Sequence, residues 1–333
     1  MKHMFRPTGA LARFARSAAV TLLGIGCAFA QAQAFPDKPL TLVVGFPPGG
    51  SFDTVMRKIA EEMSKSLGQP VTVDNRPGAG GAIATQYVVG AKPDGYTLLA
   101  AGLQLTTGPH LNKVSYNPLT DLTMIGQLGT IPVLLLVKSD SPIKSAADIV
   151  TVAKGRGGII NIGTGGIGTT GHFGTLLLGN ALKVEAVHVP FKGGAAALQA
   201  LAAGDVDLVF DQQSGVMQGL IQGGKVRVVA VMQSKRVSSL PDVKTASEFG
   251  LTLDGPLQGW QGLAVRSTTP APVVQKLTTA WNTAANSAVV KSSAEQLGIE
   301  LATDLSPQAV QQHYLAELNR WGAFIKKYQI TAQ

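Results

Sequence analysis

The chain has 333 residues, 45% of them hydrophobic, with 28 Lys and Arg against 20 Asp and Glu and a single cysteine. That length holds two ordinary domains with a sizeable core. Four of the 28 bases (Lys2, Arg6, Arg13, Arg16) fall in residues 1–34, so the remainder carries 24 minus 20, a mild +4; with no run of five Lys/Arg and no basic stripe interleaved with aromatics, nucleic acid is not an expected partner.

Residues 1–34 read as a cleavable export signal. The four bases form its n-region, Ser17 to Ala30 is apolar or small, and Ala32-Gln33-Ala34 has the form that signal peptidase cuts, so the mature chain is expected to start at Phe35 in the periplasm. The apolar run is shorter than the roughly 20 residues a membrane-spanning helix needs, which argues against an uncleaved anchor. Cys27 raises a lipoprotein alternative, but Leu23-Gly24-Ile25-Gly26 before it is a poor lipobox. Loss of Cys27 with the signal leaves neither disulfide nor thiolate.

Beyond the signal, short β-branched runs alternate with helical patterns. Expected strands are Leu40 to Val44, Val71 to Val73, Thr97 to Ala101, Met124 to Leu128, Val133 to Val137, Ile159 to Gly163, Ala186 to Val189, Val206 to Phe210, Val226 to Val231 and Gly262 to Val265. The clearest helices are Ser51 to Leu67, Thr169 to Leu182, Ala195 to Ala203, Pro272 to Asn286 and one opening at Ser306-Pro307 with Val310, Tyr314, Leu318, Trp321 and Ile325 on one seam. The alternation predicts an α/β fold with mainly parallel sheets covered by helices on both faces.

The most informative segment is Leu42 to Asp53, a strand running through Phe46-Pro47-Pro48-Gly49-Gly50-Ser51 into an amphipathic helix. Its glycines permit close backbone approach, Ser51 reads as the N-cap, and the first-turn N–H groups with the positive helix end form a receptor for a carboxylate. An ordinary strand-to-helix turn would show the same residues. Further glycine loops at 163–168 and 192–194 also follow strands, at the edge where open α/β sheets bind ligands.

Other motifs fail on inspection. Gly163-Thr-Gly165-Gly-Ile-Gly168 matches the dinucleotide fingerprint, but Glu185 precedes the next apolar run instead of ending it. Gly219 to Lys225 begins like a phosphate loop, yet Val226 stands where the magnesium-binding hydroxyl belongs. There is no G-x-S-x-G, no H-E-x-x-H and no zinc-ligand spacing. Of the histidines, His188 reads as a satisfied strand residue. His172, opening a helix beneath a glycine loop, is read equally as a ligand contact or as plain helix-start structure. Nothing assembles a reaction, so no catalytic residue, metal or cofactor is expected.

Phe35 to Pro39, Val43 to Asp53, Leu67 to Gly81, Ala91 to Leu98, Val187 to Gly194, Gly204 to Asp211, Gly223 to Ala230, Leu240 to Val243 and Trp260 to Leu263 resemble, in consecutive order, the Bug or TctC-like substrate-binding proteins of tripartite tricarboxylate transporters. The resemblance implies a two-lobed periplasmic binding protein of type II-like architecture. It would be a monomer that closes a cleft around a small organic acid and delivers it to the membrane permease subunits. It implies residues 35–136 and 262–333 for the first lobe and 137–261 for the second. It places Phe46, Pro48, Gly49, Gly50, Ser51 and Asp53 on the ligand carboxylate, with Asp53 orienting the turn, and brings Gln104, Thr164, Thr169, Thr170, His172 and Asp211 to the same cleft. Leu103-Gln104 replaces the small polar pair usual in the family and implies a bulkier, less polar wall, unsuited to citrate or aspartate. Gly171-His172 replaces the usual Ser-His. A ligand sensor in signalling, or an exported enzyme on the same fold, would share these features.

Overall fold

A computed structural model of the chain describes residues 35–253 and 257–331; the expected signal over 1–34, with Cys27, lies outside the described residues. β1 (Leu40–Val44) leads through the proline-glycine turn into α1 (Ser51–Leu67), then β2 (Val71–Asn75), α2 (Ala82–Gly90), β3 (Thr97–Gly102) and α3 (Leu103–Leu111). β4 (Leu122–Lys138), α4 (Ala146–Lys154), β5 (Ile159–Thr164), α5 (Thr170–Leu182), β6 (Glu185–Pro190), α6 (Gly194–Ala203), β7 (Leu208–Gln212), α7 (Gly215–Gln222), β8 (Val226–Val231) and α8 (Ala246–Phe249) follow. The chain returns through β9 (Gln258–Arg266) and ends with α9 (Ala271–Ala285), α10 (Ala288–Gln296), β10 (Glu300–Leu301) and α11 (Pro307–Lys327).

Helix starts and stops follow local chemistry. α1 buries Val55, Met56, Ile59, Met63 and Leu67 along one stripe and stops at Gly68, whose φ of 70° a glycine adopts without strain. Its N-cap is Gly50, not Ser51 as expected. Ser51 is already helical, and its hydroxyl donates instead to Gln212 Oε1 at 3.0 Å, a partner 161 residues away that local reading cannot see. α11 starts as expected: Ser306 Oγ accepts from Ala309 N–H at 3.3 Å and Pro307 occupies the first turn. Val310, Tyr314, Trp321 and Ile325 are buried on its seam.

The strand order is β2-β1-β3-β9-β4-β7-β5-β6, with β8 and β10 also pairing β4. The expectation of mainly parallel sheets needs correction. β1 runs parallel to β2 and β3, and β5 to β6 and β7. β9 is antiparallel to β3 and β4, and β4 is antiparallel to β7, β8 and β10. Strand-helix alternation reports right-handed crossovers within each half, but says nothing about strands that carry the chain between halves.

β4 is such a strand. Its two expected pieces are one 17-residue strand through Gly129 and Pro132, with ladder irregularities between Met124/Gly126 and Gln127/Gly129. Leu122 to Pro132 pairs with β9, while Val133 to Lys138 pairs with β7 and β8. One core, including Val43, Leu99, Ala101, Trp260 and Tyr314, lies under the N-terminal half. Two others, one around Ile160, Phe173 and Phe210 and one around Leu136, Leu198 and Met217, lie under the second half. α11 bridges them: Tyr314 packs in the first core, Trp321 and Ile325 in the second. Both halves belong to one compact unit, Lys38–Gln333.

Candidate functional site

The turn after β1 and the loops after β5, β6 and β7 face one another across a cavity of about 120 Å³. A single buried water needs roughly 10–15 Å³ measured this way, so the space takes a small organic molecule with waters. Phe46, Pro47, Pro48, Gly50, Ser51 and Phe52 form one wall, with Leu103 at the start of α3 and Gly259 and Trp260 of β9. The opposite wall is Gly165 and Thr169 to Gly171, Lys192 to Ala195, and Phe210 to Gln212 with Ser214. The walls touch through the Ser51 to Gln212 hydrogen bond and through Pro47, which leaves only 3.1 Å for a Cβ at Gly193.

Five helices, α1, α3, α5, α6 and α7, begin with residues that line this cavity or cap onto it. The first N–H groups of a helix have no partner within it, and the macrodipole places partial positive charge there. Some are taken by caps: Thr169 Oγ1 accepts from His172 N–H at 3.5 Å, and Ser214 Oγ from Met217 N–H at 3.3 Å. The rest, with Lys192 at the rim, make the cavity a receptor for negative charge built mainly from main-chain donors.

Behind each wall a polar cluster holds the loop in place. Asp53 is buried and accepts from Gly49 N–H at 3.0 Å, from Arg57 Nε at 2.9 Å and Nη2 at 3.0 Å, and from Asn75 Nδ2 at 2.8 Å; Asn75 Nδ2 also donates to Phe46 O at 2.9 Å. Burial alone would raise the Asp53 pKa, but these hydrogen bonds and the Arg57 charge outweigh it and hold the carboxyl below the usual aspartate range. Across the cleft, His172 Nδ1 accepts from Gly168 N–H at 3.3 Å, and its ring stacks 4.3 Å from that of His188. His188 Nε2 meets Thr164 Oγ1 at 2.7 Å, and Thr164 Oγ1 accepts from Gly166 N–H at 3.2 Å. Burial pushes the His172 pKa down; burial, with the His172 charge second, pushes His188 down to about 4, so both rings are neutral at pH 7.

Of the residues expected at the site, Phe46, Pro48, Gly50, Ser51, Thr169, Thr170 and Asp211 line the cavity. Gly49, Asp53, Thr164 and His172 stand behind it, fixing the two glycine turns through the bonds above. Gln104 is buried behind the wall, its Nε2 donating to Ala100 O at 2.7 Å, and its neighbour Leu103 is the residue that faces the cavity. Sequence reasoning missed Phe52, Lys192, Phe210, Gln212, Ser214 and Trp260. The Lys192-Gly193-Gly194 loop was legible as a glycine turn after a strand, whereas Trp260 arrives on a strand with no local signal.

Asp53→Asn is expected to destabilise the protein by about 1–3 kcal/mol in urea unfolding at pH 7, because the variant loses charge-assisted bonds to Arg57 and Gly49. A depressed folded-state pKa stabilises above the unfolded value of about 3.9 and is lost as pH falls through the folded value. The gap between the two proteins should therefore close below about pH 4; a gap that persists unchanged there would exclude the Asp53 charge as its source.

An α/β chain whose sheet passes between two halves on β4, with a cavity in the cleft, defines a two-lobed periplasmic-binding-protein fold. The family model described as "Tripartite tricarboxylate transporter family receptor" matches residues 55–330, and the chain belongs to that family. The structure of the periplasmic binding protein BugD is 32% identical, covering 90% of this chain and 100% of that one, with a TM-score of 0.82. MatC from Rhodopseudomonas palustris with bound malate is 35% identical over 87% of this chain and 99% of that one, TM-score 0.79. R. palustris Rpa4515 with adipate is 32% identical over 90% and 100%, TM-score 0.82. This is a family of solute-binding proteins, not of enzymes. Among the described residues no helix is long and apolar enough to cross a membrane, and no cluster of three His, Cys, Asp or Glu could hold a metal.

Proposed function

We propose that this protein captures a small organic carboxylate in the periplasm by closing two lobes, 35–136 with 262–333 and 137–261, and delivers it to the membrane subunits of a tripartite tricarboxylate-type permease. The observation that carries the reading is the convergence of five helix N-termini on one cavity, a main-chain receptor that holds an anion with no buried paired cation. The change of strand partners along β4 supports the proposed lobe boundary. Malate and adipate bound by two relatives support the ligand class.

The apolar part of the wall narrows it. Phe46, Phe52, Leu103, Phe210 and Trp260 face the cavity together, so a hydrocarbon or aromatic body recovers about 25 cal/mol for each Å² it buries, whereas a small polyanion would leave them against charge. Thermal denaturation of residues 35–333 with a panel of acids tests this. At a hundredfold excess over Kd a ligand adds about 2.7 kcal/mol, which in a chain of this size raises Tm by several degrees. Aromatic or longer-chain monocarboxylates should shift Tm more than citrate does. The reverse order would contradict the apolar reading, and no shift with any acid would contradict the carboxylate.

A further inference from the structure

Asp211 is the one acid among the described residues lining the cleft, on a cavity whose other walls are apolar side chains, hydroxyls and helix-start amides. It lies one residue before the end of β7 with its side chain against the start of α6: a Cβ at Gly194 would lie 2.7 Å from Asp211 Cγ and closer still to Oδ2, so a side chain at position 194 would displace the carboxyl. Among the described residues its carboxyl takes one hydrogen bond, from Gln212 N–H to Oδ1 at 2.8 Å. The contrast with Asp53, which meets a guanidinium, an amide side chain and a backbone N–H, is plain.

Among the described residues the surrounding elements supply no buried counter-ion. β4 places Leu134 opposite Asp211, and β5 pairs Leu208 and Val209 with Ile162 and Gly163. α6, α7 and the adjoining end of β9 carry no titratable side chain there. From α5 comes His172, neutral and engaged with Gly168; from β6, His188, engaged with Thr164; from the β6–α6 loop, Lys192, exposed at the rim. From α1, Asp53 and Arg57 are committed to each other. Although its carboxyl opens to the cavity, burial on its other sides pushes the Asp211 pKa up to about 7, against the smaller opposing effect of the Gln212 N–H.

A ligand carboxylate beside an ionised Asp211 would set two negative charges side by side, and a like charge at close range raises a carboxyl pKa further. A neutral carboxyl, in contrast, offers an O–H that an anionic ligand oxygen can accept. Resting on the carboxylate reading above, we propose that Asp211 is the proton-carrying contact of the cleft: it binds the ligand anion in its neutral form, so that capture takes up a proton from solution. The proton comes from solvent onto an Asp211 oxygen, the ligand keeps its charge, and no bond within the ligand changes.

The test is calorimetric titration of residues 35–333 with adipate and, in parallel, benzoate, both fully ionised from neutral pH upward. Affinity should fall from pH 7 to about pH 8.5 with a slope approaching tenfold per pH unit, and titrations at about pH 8.5 in buffers of different ionisation heat should show close to one proton taken up. Asp211→Asn should flatten that slope whatever its absolute affinity. In the protein without added acid, the Asp211 carboxyl carbon, assigned by its loss in that variant, should titrate well above the usual aspartate value of about 3.9. Titration at the usual value, or an affinity that is flat or rises with pH, overturns the proposal; a rise would assign Asp211 as the anionic acceptor for a ligand hydroxyl or ammonium. If Asp211 titrates high but neither acid nor the wider panel binds, the carboxylate reading has failed and the proposal goes with it.

Discussion

Gly194→Val is expected to lower affinity for any acid this protein binds by at least a hundredfold, about 2.7 kcal/mol, while costing about 1–3 kcal/mol of stability. Gly194 opens α6 at the point where Asp211 lies against its Cα, so a side chain there must displace either the carboxyl or the helix start. Both line the cavity. Displacing the carboxyl pushes it toward the ligand's space, and displacing the helix moves the amides of 194 and 195 out of position. Its backbone is not in the left-handed region, so overlap and not strain is the cause. Gly90→Ala, at the end of α2 with nothing within 4 Å of the new Cβ, should leave affinity unchanged. Calorimetry with urea unfolding separates the two effects. Wild-type affinity in Gly194→Val would remove the α6 start from the binding site.

Trp321→Ala should be the most damaging single change to the fold, at about 3–5 kcal/mol by denaturant unfolding. The indole is 2% exposed, its ring centroid lies 4.6 Å from that of Phe173 and 5.5 Å from that of Phe324, and its Nε1 donates to Glu317 Oε2 at 3.1 Å. Truncation leaves a cavity between α11 and α5 and removes one donor from the buried Glu317, which keeps Arg320 at 2.8 Å. The loss falls where the C-terminal helix holds the second core, directly beneath the helix that carries Thr170 and His172. Trp321→Phe, which keeps ring contact but not the indole N–H, should recover more than half of the loss. A cost below about 1 kcal/mol for the alanine variant would mean that α11 is not part of the cooperative core.

The parts of this molecule legible in its sequence are those whose cause is local. The Phe46 to Asp53 turn announces itself because proline and glycine restrict or free the backbone in place, and α11 because Ser306, Pro307 and the Val310 to Ile325 seam are all one-helix features. The α/β class followed from alternation alone. What escaped detection depends on residues distant in sequence. Gly129 and Pro132 are ordinary strand terminators, and only the pairing with β9 on one side and β7 and β8 on the other carries β4 through them. Ser51 has the composition of an N-cap but spends its hydroxyl on Gln212, leaving the cap position to Gly50.

The candidate site divides in the same way. Residues of the glycine turns could be named in advance, since loops after parallel strands face the ligand edge. Whether a residue lines the cavity or braces it could not. His172 and Thr164 look like donors in the sequence, yet the ring takes Gly168 N–H and the hydroxyl takes Gly166 N–H. Gln104 and Leu103 are neighbours at the start of α3, and the fold turns the apolar one inward.

Backbone amide shifts of 15N-labelled protein, residues 35–333, on titration with adipate or benzoate test the central claim most directly. The amides at the starts of α1, α5 and α6 (N-cap Gly50 with Ser51, then Thr170, Gly171 and Gly194) should move together and saturate at one common Kd. Saturable binding that leaves those amides unmoved, and instead shifts the crevice around Arg236, Lys291 and Glu300, would contradict it.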